Sequence, residues 1–307
     1  MSPGDAPEAS PQPTLRRIEA RPSEVGGITL RRAVPGRALR TVGAWCFLDH
    51  AGPARFGPGE GMHVGPHPHI GLQTFTWMIE GELLHRDSLG NEQVIRAGQV
   101  NLMTAGHGIV HSEDQVSDGG PLHAAQMWIA LPDAERDRAP AFQHHAELPV
   151  IERDGITFTL LVGEALGQRS PVAVFTPLVG LDLVARRAAR TTLPLDPAFE
   201  HAVLVLRGAA TVAGEALQPG TLLDLGCGRD GVAIELAADS QLLLLGGEPF
   251  GAPPLLWWNF VARTQAEVEQ ALADWNGASA RFGAVPGTDA PRTPAPPLTG
   301  LRLKARA

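Results

Sequence analysis

Between Ile28 and His145 the apolar positions come in short alternating runs, not in helical stripes. Positions 72–79, 93–95 and 125–131 carry β-branched, aromatic or aliphatic side chains bounded by Gly, Pro, Asp or Asn, which predicts strands separated by turns. Leu89-Gly90-Asn91 lies between two such runs and predicts a hairpin turn. A polar, Pro- and charge-rich stretch follows from Pro132 to Val150, and its part at 136–150 is expected to be a linker. The texture then repeats at 157–162, 172–175, 182–185, 202–206, 221–225, 232–236 and 241–245. Strands at roughly 8–12-residue spacing point to a sandwich or barrel, not to βαβ units. One segment differs. Thr264 with Glu267 three residues later forms a capping box, and Val268, Ala271, Leu272 and Trp275 follow helical spacing, predicting a helix at 264–276. After Gly283 the chain is polar, Pro-rich and expected to be extended.

Length and composition narrow this picture. A chain of 307 residues and 32.5 kDa is about two domains. Its 35 Gly and 27 Pro exceed the ordinary share of about 12% and exclude a helical bundle. With 44% apolar and 19% charged residues the chain can bury cores, which excludes wholesale disorder. The expected partition is a disordered 1–14, a first barrel at 15–135, the linker at 136–150, and a second barrel at 151–307 carrying the helix. The halves share a faint repeat: a Gly turn after an apolar strand (Gly81, Gly208), then a second Gly before the next run (Gly98, Gly220).

A net charge of −8 and a pI near 5.8 leave no electrostatic footprint for nucleic acid or an anionic membrane. No apolar run reaches about 18 residues, and MSPGDAPEASPQPT lacks the basic and apolar regions of a secretory signal. Cys46 and Cys227 form no metal-type pair. The expected location is the cytoplasm, with reduced thiols.

The histidines carry the chemistry. Ten of 11 lie at or before His145, and only His201 follows. In Gly65-Pro66-His67-Pro68-His69 and in His111-Ser112-Glu113, side chains two apart share a face of an extended chain. If both strands line one barrel, His67, His69, His111 and Glu113 converge. Three imidazoles and a carboxylate suit a divalent transition metal, with about two positions left open in an octahedron. No thiolate is available for a structural zinc site. Donor type alone leaves Fe, Zn, Cu, Ni, Mn and Co open. His107, flanked by glycines, is expected on a turn at the pocket wall, His50 buried, and His144 and His145 solvated. Gln126 and Trp128 alternate on one strand facing the pocket, with Trp128 read first as barrel core. Leu72, Phe75 and Met103 are expected core.

The stretch HPHIGLQTFTWMIEGELLHRDSLGN, then IRAGQV, MTAGHGIVHSE and QMWIALP, resembles the pirin family. The match is strong over residues 28–135 and fainter from Gly246-Gly247-Glu248-Pro249 through Trp257-Trp258-Asn259-Phe260-Val261. The resemblance implies an all-β bicupin of two jelly-roll cupin barrels with one short C-terminal helix. It implies one metal, usually Fe(II), at the residues corresponding to His67, His69, His111 and Glu113. It implies either quercetin 2,3-dioxygenase activity on a small aromatic flavonol, or a non-catalytic, iron-containing redox-sensing regulator with a protein partner. As a dioxygenase, Glu113 would double as proton acceptor for the flavonol hydroxyl. Gln73 stands where many pirins carry Glu, and His107 where they commonly carry another residue, so both are candidate pocket residues. The second half, with His201 alone, lacks the metal set.

Overall fold

The computed structural model describes residues 15–251, 253–298 and 300–305; the expected disorder at 1–14 lies outside them. The chain forms two β-barrels, each a seven-stranded sheet closed against a four-stranded one. In the first barrel the large sheet runs Ala141–His145, Val100–Thr104, Leu72–Glu80, Gly120–Ala130, Trp45–Phe56, Ile28–Val34 and Arg21–Val25. The small sheet runs His63–His69, Ile109–Gln115, Glu82–Asp87 and Glu92–Arg96. The second barrel repeats this plan, with Arg16–Glu19, Thr221–Gly226, Glu200–Arg207, Ser240–Gly247, Leu178–Ala185, Ile156–Val162 and Val150–Arg153 facing Ala189–Pro194, Gly231–Leu236, Ala210–Val212 and Glu215–Leu217. Two jelly-roll cupin barrels, with one short helix among the described residues, are thus the fold.

The large sheets pack back to back. One face of Leu72–Glu80 sends Phe75 and Trp77 to Leu204, Leu243 and Leu245 of the other barrel, while Met78 joins the first barrel's interior. In Ser240–Gly247, Leu243 and Leu245 face the interface and Leu242 and Leu244 the second barrel's core. Burial on both faces is why this strand reads as an unbroken leucine run. Trp45 Nε1 crosses the interface to the Gly246 carbonyl at 3.1 Å.

The helix spans Gln265–Asn276, capped by Thr264, whose side chain accepts from Glu267 N–H; Val268, Ala271 and Trp275 are buried. Its partner is the first barrel's rim, where Ile70 and Val110 join its core with Phe260 and Phe282. The chain ends are therefore exchanged. Arg16–Glu19 pairs with Thr221–Gly226 in the second barrel, and the segment after Leu255 lies on the first.

Two local expectations need correction. The linker contains a strand, Ala141–His145, paired with Val100–Thr104. Its half-buried His144 contacts Asn101 Oδ1 through Nδ1 at 2.8 Å, so the solvated reading of His144 fails. Positions 172–175 form no strand; Pro171 and Pro177 bracket them, and proline cannot donate to a ladder. Among the described residues, no helix is long and apolar enough to cross a membrane.

Candidate metal centre

Three neighbouring strands of the small sheet each present a pair of polar residues two apart. They are His67 and His69, His111 and Glu113, and His85 and Asp87. Register places His111 opposite His67 on one side and Asp87 on the other, with Glu113 opposite His85. The strand His63–His69 lies at the sheet's edge, where the missing N–H groups of Pro66 and Pro68 are tolerated.

The ring nitrogens of His67, His69 and His111 lie within 4.8 Å of one another, all three rings buried. His69 Nε2 and His111 Nε2 are 3.1 Å apart; two nitrogens about 2.1 Å from one ion at a right angle are separated by about 3.0 Å. The outer nitrogens are occupied. His67 Nδ1 donates to the Gly65 carbonyl at 2.9 Å, and His69 Nδ1 to the Asn259 carbonyl at 3.0 Å. A carbonyl only accepts, so a neutral ring held this way turns its Nε2 lone pair inward. Burial favours the neutral form, moving His67 down to about 4 and His69 and His111 well below the ordinary value. Converging neutral imidazole lone pairs, with their tautomers set from behind, fit a divalent transition metal.

Glu113 departs from the expected single set. Its carboxylate groups with His111 and His85, while the tight three-nitrogen group is His67, His69 and His111. It lines the same cavity. Burial raises its pKa against the opposing pull of His85, and Asp114 adds to the rise.

The cavity above the imidazoles measures about 480 Å³, within the roughly 300–1,000 Å³ of small-molecule sites. Trp128 stacks on Phe47 at 3.9 Å and 11°, and meets His69 edge-on at 5.2 Å. Arg32 lies 4.4 Å over the Phe47 ring and holds Asp49 bidentately at 2.7 and 2.6 Å. Thr76 Oγ1 donates to Gln126 Oε1 at 2.8 Å. Trp258, another wall residue, has φ +51°, a conformation few tryptophans adopt.

Gln126 lines the cavity as expected, and Trp128, read first as barrel core, lines it too; Gln73 and His107 do not. The turn at Ile70-Gly71, with Gly71 at φ +68°, resets the alternation, so Thr74 and Thr76 face inward. Gln73 faces outward, its Nε2 bonding Thr104 Oγ1 at 3.0 Å and reaching the Ala173 carbonyl at 3.5 Å. His107 is exposed, its Nδ1 on the Arg138 carbonyl. His85, less convincing as a ligand from sequence than the two i, i+2 pairs, and Asp87 and Asn259 stand outside the expected set. The alternation of His85 with Asp87 was an available signal; no local signal pointed to Asn259, 190 residues from His69.

Comparison with known proteins places these features. The Pirin family model matches residues 27–129, and that of the Pirin C-terminal cupin domain matches residues 180–283. A Pseudomonas aeruginosa protein named "Putative quercetin 2,3-dioxygenase" is 53% identical over 295 residues, covering 96% of this chain and 93% of its own. A Caulobacter vibrioides pirin-like protein is 40% identical, covering 84% and 91%. The crystal structure of quercetin 2,3-dioxygenase from Acinetobacter baumannii superposes with a TM-score of 0.92 at 50% identity, covering 94% of this chain and 97% of that one.

Proposed function

The chain belongs to the pirin family, and from that membership we propose that its first barrel is a metal-dependent dioxygenase site that opens flavonols such as quercetin. The observation that carries this reading is the three inward-facing imidazoles at the floor of an aromatic-walled cavity. The dioxygenase names of the Pseudomonas and Acinetobacter relatives support it. In this reading His67, His69 and His111 hold the metal through Nε2, and Glu113 completes the set by rotating toward them. Iron(II) is the metal we assign. When bound, the metal supplies Lewis acidity for a flavonol oxygen and redox access to O₂.

The protein's own residues do the rest. The Phe47–Trp128 stack takes the planar rings by offset or edge contact. Arg32, fixed by Asp49, stays positioned to receive an anionic substrate oxygen. Glu113, its affinity for protons raised by burial, accepts the 3-hydroxyl proton. The stoichiometry is one O₂ consumed and one carbon monoxide released per flavonol opened.

Oxygen uptake and carbon monoxide release with quercetin, under reducing conditions and with metal content measured, test the proposal. His69→Ala should abolish both. Glu113→Gln should retain metal and lose about 10²–10⁴-fold in rate, the usual contribution of a positioned base. Wild-type protein that carries metal and shows no uptake would transfer the site to the regulatory, partner-binding reading.

A further inference from the structure

The residues His85 and Asp87 belong to no ligand set proposed above, yet both are buried, Asp87 completely. His111 Nδ1 lies 3.3 Å from His85 Nδ1, and His85 Nε2 lies 3.1 Å from Asp87 Oδ2. Asp87 is anchored in turn: Oδ1 accepts from the backbone N–H groups of Leu89 and Asn91, and Asn91 Nδ2 reaches both oxygens at 3.0 and 2.9 Å. Phe142 stacks on the His85 ring at 4.5 Å and 14°, so the imidazole is held in plane from the side as well.

The chain of donors has one consistent direction. A carboxylate supplied with amide donors accepts, so the proton between Asp87 and His85 sits on His85 Nε2. The neutral His85 ring then offers its Nδ1 lone pair, which requires a proton on His111 Nδ1 and leaves His111 Nε2 bare toward His69 and His67. We propose that Asp87 and His85 are positioning residues that fix the His111 tautomer, doing through two side chains what the Gly65 and Asn259 carbonyls do for His67 and His69. This rests on the metal reading of the site. It adds that an ionisable pair, not a backbone carbonyl, stands behind one ligand only.

Asp87→Asn reverses the chain. Its amide N–H can donate to His85 Nε2, placing the His85 proton on Nδ1 and the His111 proton on Nε2, where a metal would bind. Two-bond ¹H–¹⁵N spectra of metal-free protein labelled at histidine nitrogen read tautomers directly. Wild type should show His111 as the Nδ1–H form and Asp87→Asn as the Nε2–H form, with His67 and His69 unchanged. Affinity for nickel(II), measured by chelator competition, should fall about 10–100-fold, the usual effect of losing such a supporting group. His85→Phe, which keeps the stack on Phe142 and removes both nitrogens, should weaken nickel binding similarly and covers the case in which Asp87→Asn does not fold. An Nε2–H His111 in wild type overturns the proposal, as does nickel affinity unchanged in both variants. Wild type that binds no metal but shows the Nδ1–H tautomer would sink the metal reading and leave the relay standing.

Discussion

At the scale of single residues, Gly71 controls what the cavity sees. Its φ of +68° turns the chain between His69 and the next strand, and a Cβ there would collide with the Val261 carbonyl oxygen. Gly71→Ala should cost about 1–3 kcal/mol for backbone strain at such a site. Urea unfolding should show this, with lowered metal retention after gel filtration, since Ile70 and His69 are both tied to the 259–261 segment. The aromatic wall is separable from the metal. Trp128→Leu should keep metal and raise the Michaelis constant for quercetin about tenfold, the scale of one lost aromatic contact; unchanged kinetics would remove Trp128 from the substrate site. The i, i+2 rule made His67 and His69 legible because both precede this turn. Gln73, expected in the pocket from the family resemblance, falls outside it because parity does not survive a left-handed glycine. His85 was legible in principle, through Asp87 two residues on, but a lone histidine in a strand carries no label saying which neighbour it will meet.

Elements show a similar division. The helix Gln265–Asn276 was readable to within a residue because its stripe and cap are local. Its destination was not readable, since Ile70 and Val110 lie about 195 and about 155 positions upstream of its start. Trp275 makes that destination matter. Its Nε1 donates to the Thr293 carbonyl, Arg292 stacks 3.5 Å over its ring, and Thr293 in turn bonds the Pro66 and Gly65 carbonyls beside His67. Trp275→Ala should cost about 3–5 kcal/mol, the usual range for removing a buried tryptophan. It should also weaken metal binding at a distance, read as a lower melting temperature together with faster metal loss to a chelator. The strand Ala141–His145 went unread because its pattern is half-buried on both faces, so neither alternation nor an apolar run marks it.

For the whole molecule, one apolar interface joins two barrels that keep cores of their own, and several neutral histidines are buried among them. Burial moves His50 down to about 3, with the nearby His123 and Arg31 adding to this; burial also moves His123 and His201 down to about 4, with Arg207 of the other barrel adding to the shift at His123. The unfolded chain takes up protons near pH 6.5 that the folded chain refuses until about 4. Stability from these groups is therefore full above about 6.5 and declines toward 4, by up to about 1.4 kcal/mol per pH unit for each. Melting of metal-free protein at pH 7 and pH 5 should show this decline, and His201→Gln should flatten it by one histidine's share; an identical slope would contradict the assignment. Two barrels were visible in the sequence through its punctuation, whereas the exchange of chain ends left no periodic trace. That exchange has a consequence in time. The Asn259 carbonyl behind His69 leaves the ribosome 190 residues after its histidine, which at about 5–20 residues per second is roughly ten to forty seconds. A nascent chain thus displays all its donor residues well before the last brace exists. On the metal reading, an ion captured during synthesis would meet a looser cage than the one the folded chain provides.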